Sequence, residues 1–357
     1  MKKFKLSILL LLTGFCFSQE PVVFYNALDF TLQGTAYYSD TKENPFHRLP
    51  TVEKEKVREK VWNLSTNSAG ISIDFKTNSS FIKVKWEVIN NFNMNHMTGT
   101  GIRGLDLYCK NRGKWQYVGS GKPIEKITER TLIKDMSKKM KEFRIYLPLY
   151  DGIESLEIGI DSTAKIEKSD KFTGKPIVFY GTSITQGGCA SRPGMAYTNI
   201  ISRTLDKECI NLGFSGNGWL QEPLANILAG IDAEMIIIDC LPNMTIKMVH
   251  ENIPPAIDII RKANPDVPIV LVESVLFESA YFNPVQYQEL YDKNGALVYE
   301  FNKLMENNYR KIYLIRGKDL TGNDHEGTVD GVHFTDLGFS RFADNLIERM
   351  KKQGLID

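Results

Sequence analysis

Five short stretches in the second half of the chain are apolar almost without interruption: PIVFYG (176–181), CINLGF (209–214), EMIIIDCL (234–241), PIVLVES (268–274) and KIYLIRG (311–317). Strands that are apolar on both faces belong to parallel sheets covered by helices on each side. The segments between them supply the helices. Tyr197, Ile201 and Leu205 fall at helical spacing, and IPPAIDIIRKANP and the long PVQYQELYDKNGALVYEFNKLMENN follow. The expected architecture is a three-layer α/β/α domain with a five-stranded parallel sheet.

The first half has another rhythm. AGISIDFKT (69–77) and SFIKVKWEVI (80–89) carry apolar residues at alternate positions, with Asn78 and Ser79 as turn residues between them. GLDLYCK, KWQYVG, EFRIYLPLY and SLEIGI continue the series, while helical periodicity is weak throughout. Period-two alternation broken by turn chemistry predicts an antiparallel β-sandwich. The charged stretch KIEKSDKFTGK (165–175) reads as the linker, which divides the chain into residues 1–18, 19–168 and 169–357.

Residues 1–18 read as a secretory signal peptide. Lys2, Lys3 and Lys5 precede an apolar run from Leu6 to Phe17, and Ser18 is a small residue before a cut at Gln19. The bulky Phe15 before Cys16 makes a poor lipid-attachment site, so the expected location is periplasmic or extracellular without a lipid anchor. No other segment is apolar for long enough to span a bilayer. With 44 basic and 43 acidic residues the net charge is +1, which leaves no electrostatic footprint for nucleic acid. Cys109, Cys189, Cys209 and Cys240 remain after processing, and four cysteines allow three pairings among which sequence does not choose.

Ligands of open parallel α/β sheets gather at the carboxyl ends of the strands. There the first strand delivers Gly181-Thr182-Ser183, the second Gly213 to Gly218, the third Pro242-Asn243 and the last Asp330-Gly331-Val332-His333. Taken singly these are ordinary. Ser183 could be a helix N-cap, Gly216 a turn glycine, and Asp330-Gly331 a turn. Together they form a chemical set. A serine hydroxyl needs a base, an imidazole suits neutral pH, and the imidazole needs a partner that fixes its tautomer. Asp330, three residues before His333, can bend back across the Asp-Gly turn to provide it. Glycine-rich backbone and an asparagine amide can hold a developing oxyanion.

This ordered set resembles the SGNH (GDSL-type) hydrolase family, a flavodoxin-like fold whose serine follows the first strand; here the family's GDS reads GTS. The resemblance assigns Ser183, Asp330 and His333 as the catalytic triad. It assigns the Ser183 and Gly216 N–H groups and the Asn243 side chain as the oxyanion hole. Thr182 stands where an aspartate is usual, and CLPNMT replaces the commoner G-x-N-D form. The first half resembles the β-rich domain preceding such catalytic domains in a bacterial subgroup with a G-x-D-L-Y motif, here Gly104-Leu105-Asp106-Leu107-Tyr108. The implied activity is a carboxylic ester hydrolase forming an acyl-enzyme, with no cofactor and no metal. The implied substrate is a small acyl ester, acetyl on carbohydrate before a lipid or lysophospholipid ester.

Three other readings compete. An α/β-hydrolase elbow requires G-x-S-x-G, but Thr185 occupies the second glycine's place. A metal hydrolase could draw on Asp324, His325, Glu326, Asp330 and His333, but no H-E-x-x-H spacing is present. A carbohydrate-binding protein with an inactive hydrolase half could use Trp62, Trp86, Tyr108 and Trp115 as stacking platforms. His96, on the loop NMNHMTGTG, is a candidate to reach over the cleft and shape the substrate pocket.

Overall fold

A computed structural model describes residues 21–37 and 39–357; the signal peptide reading and Cys16 lie outside them. The described residues of the N-terminal half form ten strands: β1 (Val22–Asn26), β2 (Thr31–Gln33), β3 (Ser72–Thr77), β4 (Ile82–Val88), β5 (Leu105–Asn111), β6 (Lys114–Gly121), β7 (Ile127–Ile133), β8 (Lys141–Tyr146), β9 (Ile153–Asp161) and β10 (Ile166–Lys168). They form two antiparallel sheets. One has the order β1-β9-β4-β7; the other runs β10-β3-β8-β5-β6, with β2 also pairing β3. The inward positions of the alternating pattern meet between the sheets, where Ile73, Phe75, Val84, Trp86, Phe143 and Ile158 are buried.

β10 occupies part of the stretch read as linker, because Ile166–Lys168 pair antiparallel with Thr77–Phe75. Two short helices also interrupt the strand pattern: α1 (Glu59–Ser65) and α2 (Gly99–Arg103). Helical periodicity is invisible there because neither segment packs as a long amphipathic face. α1 puts Val61 and Trp62 into the core of the second half, beside Leu220, Leu224 and Tyr180. Trp62, Trp86 and Tyr108 are all buried, so these three aromatics are core rather than stacking platforms.

The second half begins with β11 (Ile177–Gly181) and continues through β12 (Cys209–Gly213), β13 (Met235–Asp239), β14 (Ile269–Val272) and β15 (Ile312–Ile315). All five are parallel, in the order β12-β11-β13-β14-β15. Every residue of β11 to β14 is buried, as continuous apolar runs require. The covering helices are α3 (Ser183–Gln186), α4 (Tyr197–Leu205), α5 (Glu222–Ala229), α6 (Ile246–Ala263), α7 (Pro284–Glu306) and α8 (Asp336–Lys352). α6 starts well before IPPAIDIIRKANP and runs through Pro254 and Pro255. Its N-cap is Thr245, whose hydroxyl accepts from the Met248 N–H, and an apolar face of Val249, Ile253, Ile257 and Ile260 holds it on the sheet. That burial outweighs the backbone hydrogen bonds the prolines remove.

β11 is the central switch point, since the chain leaves it to one side for β12 and returns to the other for β13. Gly181 is in register with Gly213 on one neighbour and Asp239 on the other. The loops that follow these three strands therefore converge. The N-terminal half packs against this same sheet. Gly70, at φ +85°, is so near that a Cβ there would lie 2.5 Å from Cβ of Asn211. The four described cysteines are free, and Cys189, Cys209 and Cys240 are buried.

Candidate active site

β11 ends at Gly181, and the chain turns at once into the four-residue α3. The N-cap is Thr182, not Ser183: the Thr182 hydroxyl accepts from the Ile184 N–H at 3.2 Å. The threonine at the position where the family has aspartate thus does the capping. Ser183 becomes the first helical residue and its hydroxyl is released for other work. Ser183 Oγ lies 2.9 Å from Nε2 of His333.

His333 is aimed by its own turn. Asp330 Oδ1 accepts from the backbone N–H of Val332 at 3.0 Å and of His333 at 2.8 Å. The other carboxylate oxygen, Oδ2, lies 2.7 Å from His333 Nδ1. Gly331 supplies the positive φ (+89°) that the reversal needs. From outside, the Glu278 N–H donates to the Gly331 carbonyl at 2.9 Å and ties the turn to the segment before α7. Partial burial raises the Asp330 pKa, but hydrogen bonds from the His333 side chain and the two backbone N–H groups outweigh it. The net shift is downward, and the carboxylate stays ionised. One turn of chain thus holds an anion on the far side of the imidazole from the serine.

The loops after β12 and β13 leave the sheet beside the one that carries Ser183. In the first, Ser215 N–H donates to Gln186 Oε1 (3.0 Å) and Asn217 N–H to Phe214 O (2.8 Å), around Gly216 at φ +66°. In the second, Asn243 ends a short 3₁₀ turn, Leu241–Asn243. Its Oδ1 accepts from Gly218 N–H at 3.2 Å, which presents Nδ2 as the donating side of the amide. Neither Ser183 N–H nor Gly216 N–H has an acceptor among the described residues. Two backbone N–H groups and one amide are thus free to donate on the loops that follow β11 and its two neighbours.

His96 comes from the other half. Its ring centroid is 5.8 Å from that of His333, and its Nδ1 is 2.8 Å from Asn95 Oδ1. His96, Cys189, Asp330 and His333 bring their donor atoms within 4.8 Å of one another. These are the described residues whose donors could together hold a metal ion; both nitrogens of His333 already have hydrogen-bond partners, Ser183 Oγ and Asp330 Oδ2. Burial, and then the charge of Asp330, push the Cys189 thiol up to about 12 and hold it in the protonated form.

Several neighbours carry no sequence signal. Tyr150, from the N-terminal half, donates to the Ser183 carbonyl at 3.4 Å. Gln186 joins the Ser215 N–H to Asn67 Oδ1 and the Leu149 carbonyl. Beneath α3, Asp239 accepts from Thr185 and Tyr197. Each partner lies tens of residues away in sequence, so only the fold brings the pairs together.

Residues 174–351 match the GDSL-like Lipase/Acylhydrolase family, and residues 22–166 match the N-terminus of SGNH-type esterases. Among solved structures, a chain from Bacteroides ovatus ATCC 8483 described as a GDSL-like lipase is 39% identical. The match covers 94% of this chain and 99% of that one, with a TM-score of 0.91. A salicylyl-acyltransferase from a tetracycline biosynthetic pathway shares the fold at 17% identity (94% and 98% covered, TM-score 0.78). So does a family two carbohydrate esterase from Clostridium thermocellum in complex with cellohexaose, at 12% identity (81% and 94% covered, TM-score 0.61). No curated protein matches the chain.

Proposed function

The chain belongs to the GDSL-like lipase/acylhydrolase family and is an ester hydrolase; from that premise we propose an exported serine esterase that removes short acyl groups, acetyl above all, from a carbohydrate alcohol. The observation that carries the reading is the continuous relay Asp330 Oδ2, His333 Nδ1, His333 Nε2, Ser183 Oγ, with separations of 2.7 and 2.9 Å.

In this reading Ser183 Oγ attacks the ester carbonyl carbon as its proton passes to His333 Nε2. Asp330 holds the proton on Nδ1 and stabilises the imidazolium. The carbonyl oxygen becomes an oxyanion, met by the N–H groups of Ser183 and Gly216 and by Asn243 Nδ2. Collapse of the tetrahedral adduct breaks the bond to the alkoxy oxygen, which leaves with the proton from His333. Water then repeats the sequence on the acyl-serine: its proton goes to His333, its oxygen bonds the carbonyl carbon, and Ser183 Oγ is reprotonated as the acid departs.

A cleft of about 580 Å³ at the Gly216 turn is lined by Arg58, Glu59, Lys60, Gly216, Asn217 and Trp219, and its indole offers a surface on which a sugar ring could stack. No helix among the described residues is long and apolar enough to cross a membrane. The decisive experiment compares aryl acetate with aryl octanoate, then offers acetylated xylan. Acetate is expected to turn over faster and xylan to release acetate; faster octanoate turnover would replace the acetylesterase reading with a lipase-type one. A fluorophosphonate probe should label Ser183, and an unlabelled, folded protein would leave only the binding-protein alternative.

A further inference from the structure

Two arginines of the N-terminal half end on the segment that carries Gly216. Arg58, the residue before α1, donates from Nε to Gln221 Oε1 at 2.7 Å and from one terminal nitrogen to Asn217 Oδ1 at 2.7 Å. Its other terminal nitrogen donates to the Asn217 carbonyl at 3.3 Å, and the guanidinium lies 3.7 Å from the centre of the Trp219 ring. Arg48 is buried. It donates to the carbonyls of Asn211 (3.2 Å) and Gly213 (2.6 Å), at the end of β12, and to those of Asn67 and Leu64 in its own half. Neither guanidinium has a carboxylate partner among the described residues: every acceptor is a neutral amide or carbonyl.

That pairing is unusual. A desolvated cation ordinarily meets an anion. Burial pulls the Arg48 pKa down to about 9, still above neutrality, so the charge is kept. The fork geometry of a guanidinium fixes two acceptors at once, which a lysine cannot do. Both forks here are spent on the strand end and turn on either side of Gly216, which has no side chain to anchor it.

We propose that Arg58, backed by Arg48, is a positioning residue for the oxyanion-binding loop, so that the N-terminal half is a working part of the catalytic site. Through Asn217, whose Nδ2 donates at 2.7 Å to the Ser215 carbonyl of the same peptide unit, it fixes the direction of the Gly216 N–H. This rests on the reading of Ser183, Gly216 and Asn243 given above. It also assigns a chemical task to the interface between the two halves.

The test measures kcat, KM and the inhibition constant of an aryl trifluoromethyl ketone, which forms a reversible tetrahedral oxyanion on serine. It uses the full chain, its Arg58→Met variant and its Arg58→Lys variant. Removing an oxyanion donor outright costs about a hundredfold or more, so loosening one should lower kcat by roughly tenfold to a hundredfold. KM should stay nearly constant, and the ketone's inhibition constant should rise by the same factor as kcat/KM falls. Arg58→Lys, which keeps charge without the fork, should lie between. A variant that merely folds less well has fewer active molecules but an unchanged inhibition constant, and that result overturns the proposal. So does Arg58→Met with wild-type kcat. A wild-type chain inert toward both aryl acetate and the ketone would instead remove the reading of the site itself.

Discussion

Tyr197 and Asp239 meet beneath the helix that begins at Ser183: the phenol donates to Asp239 Oδ2 at 3.0 Å, and Thr185 of that helix donates to the same oxygen at 3.3 Å. The carboxyl group is buried at the end of β13, in register with Gly181. It therefore forms part of the floor on which the serine is mounted.

The first prediction concerns that floor. Burial raises the Asp239 pKa to about 7 even though Tyr197 and Thr185 pull it down. The unfolded chain loses this proton near the ordinary carboxylate value while the folded chain keeps it, so between about pH 4 and 7 the native state binds more protons. Stability should fall as pH rises through that window and level off above it. For a buried group the shift amounts to roughly 4 kcal/mol at most. Urea titrations at pH 5 and pH 8 should show a pH-dependent loss in wild type that Asp239→Asn largely removes. An identical loss in both proteins would refute the assignment.

Asn243→Ala should reduce turnover by about a hundredfold or more, corresponding to about 3–4 kcal/mol for an oxyanion donor. The residue ends the short 3₁₀ turn after β13, and its side chain's only described hydrogen bond is from the Gly218 N–H, so the thermal midpoint should shift little. Wild-type kcat in that variant would take Asn243 out of the site.

Asp330→Asn should remove most activity without unfolding the chain. An asparagine can still accept from the two backbone N–H groups of its turn, but it cannot stabilise an imidazolium. The expected loss in kcat is of the order of ten-thousandfold, by analogy with the same change in a serine-protease triad. A loss below tenfold would show that the carboxylate is not needed.

Because the four described cysteines are free, a thiol reductant should leave the thermal midpoint unchanged. A fall of several degrees on reduction would reveal a bridge.

Gly70→Ala should destabilise the fold by more than about 1 kcal/mol, since the new methyl meets Asn211 and the backbone is left-handed there. A midpoint equal to wild type in calorimetry would mean that the interface yields.

Legibility followed the range of the forces. The five parallel strands were plain because burial on both faces writes itself into consecutive residues such as Met235–Asp239. Ser183, Asn243 and His333 stand out in the sequence because they follow strand ends in order, and Asp330 because His333, its hydrogen-bond partner, is three residues away. β1 and β7 were missed, since edge strands with mixed exposure lose the alternation. α1 was missed because its apolar residues answer to a sheet encoded more than a hundred residues later. Arg58 and Asn217, 159 residues apart, share no local pattern. Thr182 and Ser183 are equally plausible caps in sequence, and only the contact of the serine hydroxyl with His333 leaves the capping to the threonine.

The closeness of Gly70 to Asn211 has a consequence for descent. Surfaces separated by less than the width of a methyl group cannot drift independently, because a change on one side demands its answer on the other. The β-rich and α/β halves thus fit as a matched pair. A hybrid that joined residues 22–166 of this chain to the corresponding α/β half of a distant relative would carry the right parts and the wrong fit.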